Sequence, residues 1–514
     1  MAVFDVPIWL PLLLLLPILL LMKNKIHGRR QNKNLPPSPP SLPIIGNLHQ
    51  IGDLPHQSMS RLAQRYGPVM LLKFGAKPIV VISSAEAAKE VLKVRDLDCC
   101  SRPLLANAGK LTYNYQDIVF APYGEYWREI RKVCVLELFS AARVQSYRSI
   151  REEEVALLVN SISQSSSSAT PVNLFEKMLP PTASILCRIA FGKSFRGSDL
   201  DNEKFQEVLH EAEAMLASFG ASEFFPYVGW IVDRLSGRFQ RLDKIFHELD
   251  SFLQLAIDFH LNPDNTKEEH EDLVDVLLRI EREQAKSGGA PFTKDNIKAI
   301  LFDIFVGGSN TVAVTTVWAM AELARNPRVM KKAQDEVRNV VGNKGKVAES
   351  DTPHLPYLKT VLKETLRLHP PAAMLLPRET MAPFKISGYD ICPKSLLQVN
   401  NWAIARDPKY WKNPEEFHPE RFDDSSIDYK GQNFELLPFG SGRRGCPGMH
   451  MGTTTVELAL ANLLYCFGWK LASGMKEEDI DMDESTGPGL TQKRTPLKLV
   501  PVKLFQWQSE NSVS

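Results

Sequence analysis

Hydrophobic positions near the start of the chain fall into three unlike patterns. Val6–Met22 is an unbroken run of 17 apolar or proline residues, at the lower end of the roughly 17–25 that a membrane-crossing helix needs. Leu35–Pro43 then holds five prolines in nine residues. Proline fixes φ and keeps its predecessor out of the helical region, so this segment reads as a stiff extended spacer. Val69–Phe74 and Pro78–Ile82 flank Gly75-Ala76-Lys77 and predict a hairpin. Beyond them helical periodicity dominates, with loops expected at Ser161–Thr170, Ser287–Gly289 and Gly342–Gly345. The longest candidate helix starts after an N-cap at Thr293 and runs to Arg325, where Asn326-Pro327 ends it. Such a rod is roughly 50 Å long, enough to cross a domain. The pattern predicts a mainly α architecture with a small β portion, in one large body after the apolar segment.

Charge order changes the picture at the N-terminus. Lys23, Lys25, Arg29 and Arg30 follow the apolar run, while Asp5 is the charged side chain before it. A cleaved signal peptide has the reverse order and a small-residue cleavage site. A retained anchor is therefore expected, with the downstream chain on the cytosolic side. The boundaries are 1–30 for the anchor and basic flank, 31–46 for the proline-rich hinge and 47–514 for the globular domain. A formal net charge of +1 provides no field that would attract nucleic acid. Seven cysteines, an odd number without a CxxC pair, indicate neither a disulfide framework nor a zinc site and suit a reducing compartment.

The densest candidate chemistry is Pro438-Phe439-Gly440-Ser441-Gly442-Arg443-Arg444-Gly445-Cys446-Pro447-Gly448. Glycines around one cysteine permit a tight loop with backbone N–H groups turned to the sulfur, and such donors stabilise a thiolate and tune a metal bound to it. A single shielded thiolate is what haem chemistry requires for O–O cleavage. Phe439 can cover the sulfur, and Arg444 can pair with a haem propionate. The same letters contain Gly440-x-Gly442-x-x-Gly445, a dinucleotide pattern, but Leu437-Pro438 before it and Cys446-Pro447 after it break the strand–turn–helix context which that motif needs.

Phe439-x-x-Gly442-x-Arg444-x-Cys446-x-Gly448 resembles the haem-binding signature of the cytochrome P-450 superfamily, and the chain is similar to plant microsomal members along almost its whole length. The resemblance implies the cytochrome P-450 fold, haem b (iron protoporphyrin IX) and Cys446 as axial ligand. It selects Glu364 and Arg367, among three Glu-x-x-Arg spacings, to join Arg421 in a network supporting the loop. It assigns Trp127, Arg131 and Arg378 to the haem propionates. In the long helix, Gly307-Gly308-Ser309-Asn310-Thr311 aligns with the oxygen-activation motif, in which Thr311 holds dioxygen and helps deliver protons. The position before Thr311 is usually acidic in the family; Asn310 can orient water but supplies no proton. Read from the helix alone, the same residues are a packing glycine pair with a back-bonded threonine.

The resemblance, with the expected anchor, implies a monooxygenase on the cytosolic face of the endoplasmic reticulum, a single-pass membrane protein acting on a small lipophilic metabolite such as a terpenoid or phenylpropanoid. No flavin or nicotinamide domain is legible, so electrons are expected from a separate NADPH-dependent cytochrome P-450 reductase, with cytochrome b5 as a further donor. By resemblance, the pocket walls include Leu104–Val119, Met215–Phe225, Phe305–Gly308, Ala372–Leu376 and Pro488–Leu490. Two rivals remain at this point: a haem-thiolate lyase, dehydratase or isomerase needing no reductase, and a haem sensor without turnover.

Overall fold

The computed structural model describes residues 34–167, 170–193, 202–262, 271–287, 292–486 and 489–504. The expected anchor, 1–30, and the first residues of the hinge lie outside them. From Asn34 onward the proline-rich segment lies against the body: Pro36 and Pro39 are buried, and the Pro37 carbonyl accepts the Leu71 N–H at 2.8 Å.

Helix α1 (Pro55–Tyr66) precedes the hairpin, which forms as β1 (Val69–Phe74) and β2 (Lys77–Ile82) with its turn tightened to Gly75-Ala76. Then come α2 (Ala106–Leu111), α3 (Glu125–Val133), α4 (Arg148–Ser166), β3 (Val172–Asn173), α5 (Leu174–Phe191) and α6 (Asn202–Ala217). They are followed by α7 (Gly229–Leu235), α8 (Arg238–Leu261), α9 (Leu273–Ser287), α10 (Lys294–Arg325), α11 (Pro327–Val341) and α12 (Pro356–Leu368). Short strands β4 (Arg378–Glu379), β5 (Phe384–Ile386), β6 (Tyr389–Ile391) and β7 (Leu396–Val399) lead to α13 (Met449–Cys466), β8 (Phe467–Lys470) and β9 (Lys498–Lys503).

The main sheet has the order β1-β2-β7-β4, with β2 and β7 parallel and the other pairs antiparallel. Its two faces follow the period of two along a strand. Val80 and Ile82 enter one apolar cluster with Leu397 and Val399, while Ile79 and Val81 enter another with Met70, Leu72 and Leu396. A smaller sheet, β3-β9-β8, and the β5-β6 hairpin complete the β portion.

The long helix appears where capping predicts it. Asn296 Oδ1 accepts the Thr293 N–H at 2.6 Å, and Asn326-Pro327 ends the rod. It packs against α5, α12 and α13. By length and composition it could cross a membrane, but 78% of its most apolar window is buried within the protein, which makes it the core helix of the domain.

One expectation fails. Ser161–Thr170 is not a loop from its start, because α4 continues to Ser166. Leu158, Val159 and Ile162 bury one face of this helix. The polar face satisfies its own hydroxyls: Ser161 and Ser166 donate to carbonyls three residues back, Leu158 at 3.0 Å and Ser163 at 2.9 Å. Tertiary burial outweighs the weak helix preference of serine.

Candidate active site

The glycine-rich loop is shaped by two left-handed residues, Gly440 at φ 67° and Gly442 at φ 71°. At Gly442 the constraint is also steric, since a Cβ would stand 2.1 Å from the Leu92 carbonyl oxygen. A single 3-10 turn, Gly442–Arg444, brings the chain round so that the Cys446 N–H bonds to the Phe439 carbonyl at 2.9 Å. The Phe439 ring packs edge-on against Tyr429, 5.5 Å between centroids. No helix opens until Met449, and residues 400–448 contain no strand, so the dinucleotide pattern lacks its frame.

Burial pushes the Cys446 thiol pKa up, while the Gly448 N–H, the Arg131 charge and the Met449 N–H pull it down. Of the seven cysteines, Cys446 is the exposed one, yet enough protein surrounds it to desolvate the thiol. A side chain lining an internal cleft has this combination.

Helix α10 exposes its small residues in a graded way. Phe305 belongs to the core, 0% exposed and stacked on Phe191, rather than to a pocket wall. Gly308 is a packing glycine, because a Cβ there would meet Leu186 of α5 at 3.0 Å. Gly307, by contrast, is exposed with open space beside it. Thr311, one turn later, is half-buried and donates to the Gly307 carbonyl at 2.8 Å. This leaves the hydroxyl oxygen free to accept. Asn310 is 7% exposed, and its amide donates to the Glu213 carboxylate on α6.

Four arginines gather beside the loop. Arg131 of α3 donates to the Gly445 carbonyl. Arg444 lies 4.1 Å from the Trp127 ring and donates to the carbonyls of Cys100 and Ala121 at 2.8 and 2.6 Å. Trp127 itself donates to Ile118 O at 2.9 Å. Arg378 pairs with Asp96 at 2.6 Å and bonds to Ser441 O at 3.1 Å. The fourth, Arg102, was not legible in the sequence. It is 6% exposed, and its bonds go to the carbonyls of Val119, Leu376 and Pro377. Burial, then the neighbouring Arg444 and Arg378 charges, push the Arg102 pKa well down. Burial also takes Arg444 down to about 10, with Arg378 and Arg131 adding to the effect. A nest of cations held mainly by carbonyls favours an anion. Together with the exposed Cys446, it fits haem, whose propionates carry two negative charges.

Glu364 accepts two bonds from Arg367 at 2.7 and 2.9 Å, one from Arg421 at 2.9 Å and one from the His418 N–H at 2.9 Å. The remaining guanidinium hydrogens go to the carbonyls of Ala405, Pro414, Glu416 and Lys412. The other two Glu-x-x-Arg spacings form no such pair: Glu322 takes His369 at 2.7 Å, and Glu125 and Arg128 are exposed.

Some of the expected wall segments touch one another or the loop. Asn107 donates to Met215 O and Ser218 O, both at 2.9 Å. A Cβ at Gly489 would stand 3.7 Å from Ala217, and one at Gly440 3.8 Å from Leu375. Pro488 lies outside the described residues. A second feature missed by the sequence is a buried carboxyl pair. Asp303 of α10 accepts from the N–H groups of Ile118 and Val119, beside Asp117, which accepts from Phe120 N–H at 2.7 Å.

An exposed cysteine beside a nest of arginines is the pairing that a haem-thiolate enzyme needs. The cytochrome P450 family model matches residues 36–500. The chain is 54% identical to cytochrome P450 71B37 of Arabidopsis thaliana over 497 residues, covering 96% of this chain and 99% of that relative. It is 56% identical to cytochrome P450 71B9 of the same plant over 467 residues, 91% and 93% of the two chains. Among solved structures it is similar to a zebrafish cytochrome P450 with progesterone, at TM-score 0.74 and 27% identity, covering 87% of this chain and 99% of that one. A zebrafish cytochrome P450 structure with abiraterone gives TM-score 0.73 and 25% identity, with 88% and 100% covered. The chain belongs to the cytochrome P-450 family and is a monooxygenase of the oxidoreductase class.

Proposed function

We propose that this chain is an endoplasmic-reticulum monooxygenase that inserts one atom of dioxygen into a small lipophilic specialised metabolite, such as a terpenoid or phenylpropanoid, with Cys446 as the ligand of haem iron. The observation that carries it is the Cys446 loop: an exposed cysteine whose N–H is held by the Phe439 carbonyl, with Arg131 bound to the adjoining Gly445 carbonyl. Haem bound there supplies dioxygen activation and oxygen transfer to carbon.

The chain's own residues hold, orient and shield. Arg444, Arg131, Arg378, Arg102 and Trp127 form the propionate side. Gly442 and Gly448 keep the loop tight, and Phe439 fixes the Cys446 backbone through its carbonyl. Thr311 offers a hydroxyl oxygen over the open space at Gly307. Glu364, Arg367 and Arg421 brace the loop.

Two electrons come from NADPH through a separate cytochrome P-450 reductase, with cytochrome b5 as a further donor. Residues 1–30 form the anchor, 31–46 the hinge and 47–514 the catalytic domain. A surface apolar patch supports the membrane placement: Tyr227 is 89% and Leu235 83% exposed, with Val228, Trp230, Ile231 and Val232 between them. Aromatic and aliphatic side chains presented together suit a bilayer interface. The test is turnover of a metabolite library by membranes carrying the protein, with and without reductase and NADPH. Product that needs both supports the reading; product formed without NADPH refutes it.

A further inference from the structure

Proton delivery beside Thr311 needs a group that can carry a proton, and Asn310 holds an amide instead. That amide is committed to α6. Asn310 Nδ2 donates to Glu213 Oε2, and the adjacent Ser309 hydroxyl donates to Gln206 Oε1 at 3.5 Å. Gln206 and Glu213 stand two turns apart, so both lie on the face of α6 that rests on α10. Each keeps one buried polar atom without a protein partner, Glu213 Oε1 and Gln206 Nε2.

We propose that Glu213 is the proton-carrying acid of this site, held on α6 opposite the position where the long helix lacks one. Asn310 is then a positioning residue, whose N–H fixes Oε2 and leaves Oε1 for the proton. The O–H bond at Glu213 Oε1 breaks as the proton passes to solvent on the Thr311 side of the cleft. The carboxylate left behind takes a proton from bulk solvent, so the group ends as it began. Thr311, whose own hydrogen goes to the Gly307 carbonyl, accepts from that solvent.

Burial pushes the Glu213 carboxyl up to about 7, opposed by the Asn310 bond, which suits a group that must hold and release a proton near neutral pH. The elements packed on α6 are α2, α8 and α10. Among the described residues, Lys110 pairs with Asp243, Arg241 with Glu211 on α6, Lys244 with Glu248 and Lys298 with Asp250, while Arg238 donates to the Ser218 carbonyl. This inference rests on the monooxygenase reading of the site.

The test uses the full-length haem-bearing protein with reductase, as wild type, Glu213→Gln, Asn310→Asp and the double variant. Infrared spectra of the protonated-carboxyl stretch, recorded against pH, give a readout independent of turnover. The wild type should show a band titrating near neutrality that Glu213→Gln removes. Glu213→Gln should lower product per NADPH about tenfold or more, with peroxide rising in its place. The double variant, which moves the acid to position 310, should recover coupling. If Glu213→Gln loses its haem spectrum, Asn310→Leu decides: loss of the amide donor must raise the midpoint of the carboxyl band, and an unmoved midpoint overturns the proposal. A Glu213→Gln spectrum that has lost no titrating band, or wild-type coupling in that variant, also overturns it. A wild type that consumes no NADPH with reductase would refute the monooxygenase reading, while the infrared titration still tests Glu213 by itself.

Discussion

Glu364→Gln removes one charge from the Glu364–Arg367–Arg421 network and almost nothing else. The carboxylate takes four hydrogen bonds, and both Glu364 and Arg367 are 0% exposed. Glutamine keeps the shape but turns an NH2 group toward guanidinium hydrogens and leaves two cations without their anion. Removing one partner of a buried ion pair costs about 3–5 kcal/mol. The carbonyl contacts that Arg367 and Arg421 retain place this case in the lower half. Unfolding entropy near 2.1 cal/mol/K per residue gives about 1 kcal/mol/K for a body of roughly 470 residues, so the melting temperature should fall by about 3–4 °C. Differential scanning calorimetry would measure it, alongside haem loss at a fixed temperature. Glu125→Gln is the matched control, since it alters an exposed copy of the same spacing and should stay within about 0.5 kcal/mol. Equal melting temperatures for the two variants would refute the reasoning.

Gly442→Ala should cost about 2 kcal/mol or more, because it combines left-handed backbone strain with the Leu92 contact. Gly452→Ala, in open space on α13, should be neutral or stabilising by up to about 1 kcal/mol; chemical denaturation compares them. The Asp117–Asp303 pair predicts a pH dependence. Burial raises both carboxyls, Asp117 to about 6, and for Asp303 the Asp117 charge adds to the rise. The folded state therefore binds protons more tightly than the unfolded chain, and stability should fall as pH rises from about 4 through the folded values. Asp303→Asn should flatten the decline in melting temperature between about pH 5 and 8; an unchanged slope would contradict the raised carboxyl pair.

The readable parts of the site were those carried by short spacing. Cys446 with its glycines, and Glu364 with Arg367, are local in sequence, and the long helix was bounded by its own caps. Partners distant in sequence were not readable. Arg102 takes its place only when the loop near Pro377 folds over it, and Asp303 meets Asp117 across 186 positions. Asn310 looked like a lone departure from a pattern until α6 brought Glu213 against it. This changes the outlook for Asn310→Asp alone, which now sets two carboxyls against each other rather than restoring an acid. Ser161–Ser166 misled for a related reason, since its composition reports solvent preference while Ile162 on the opposite face fixes the helix.

The central claim is that Cys446 thiolate holds haem iron. The most direct measurement is the absorption spectrum of the reduced protein with carbon monoxide, for wild type and Cys446→Ala. The wild type should show the red-shifted Soret band of thiolate ligation, and Cys446→Ala should lose that band or the haem itself. An unchanged spectrum in Cys446→Ala would contradict the account.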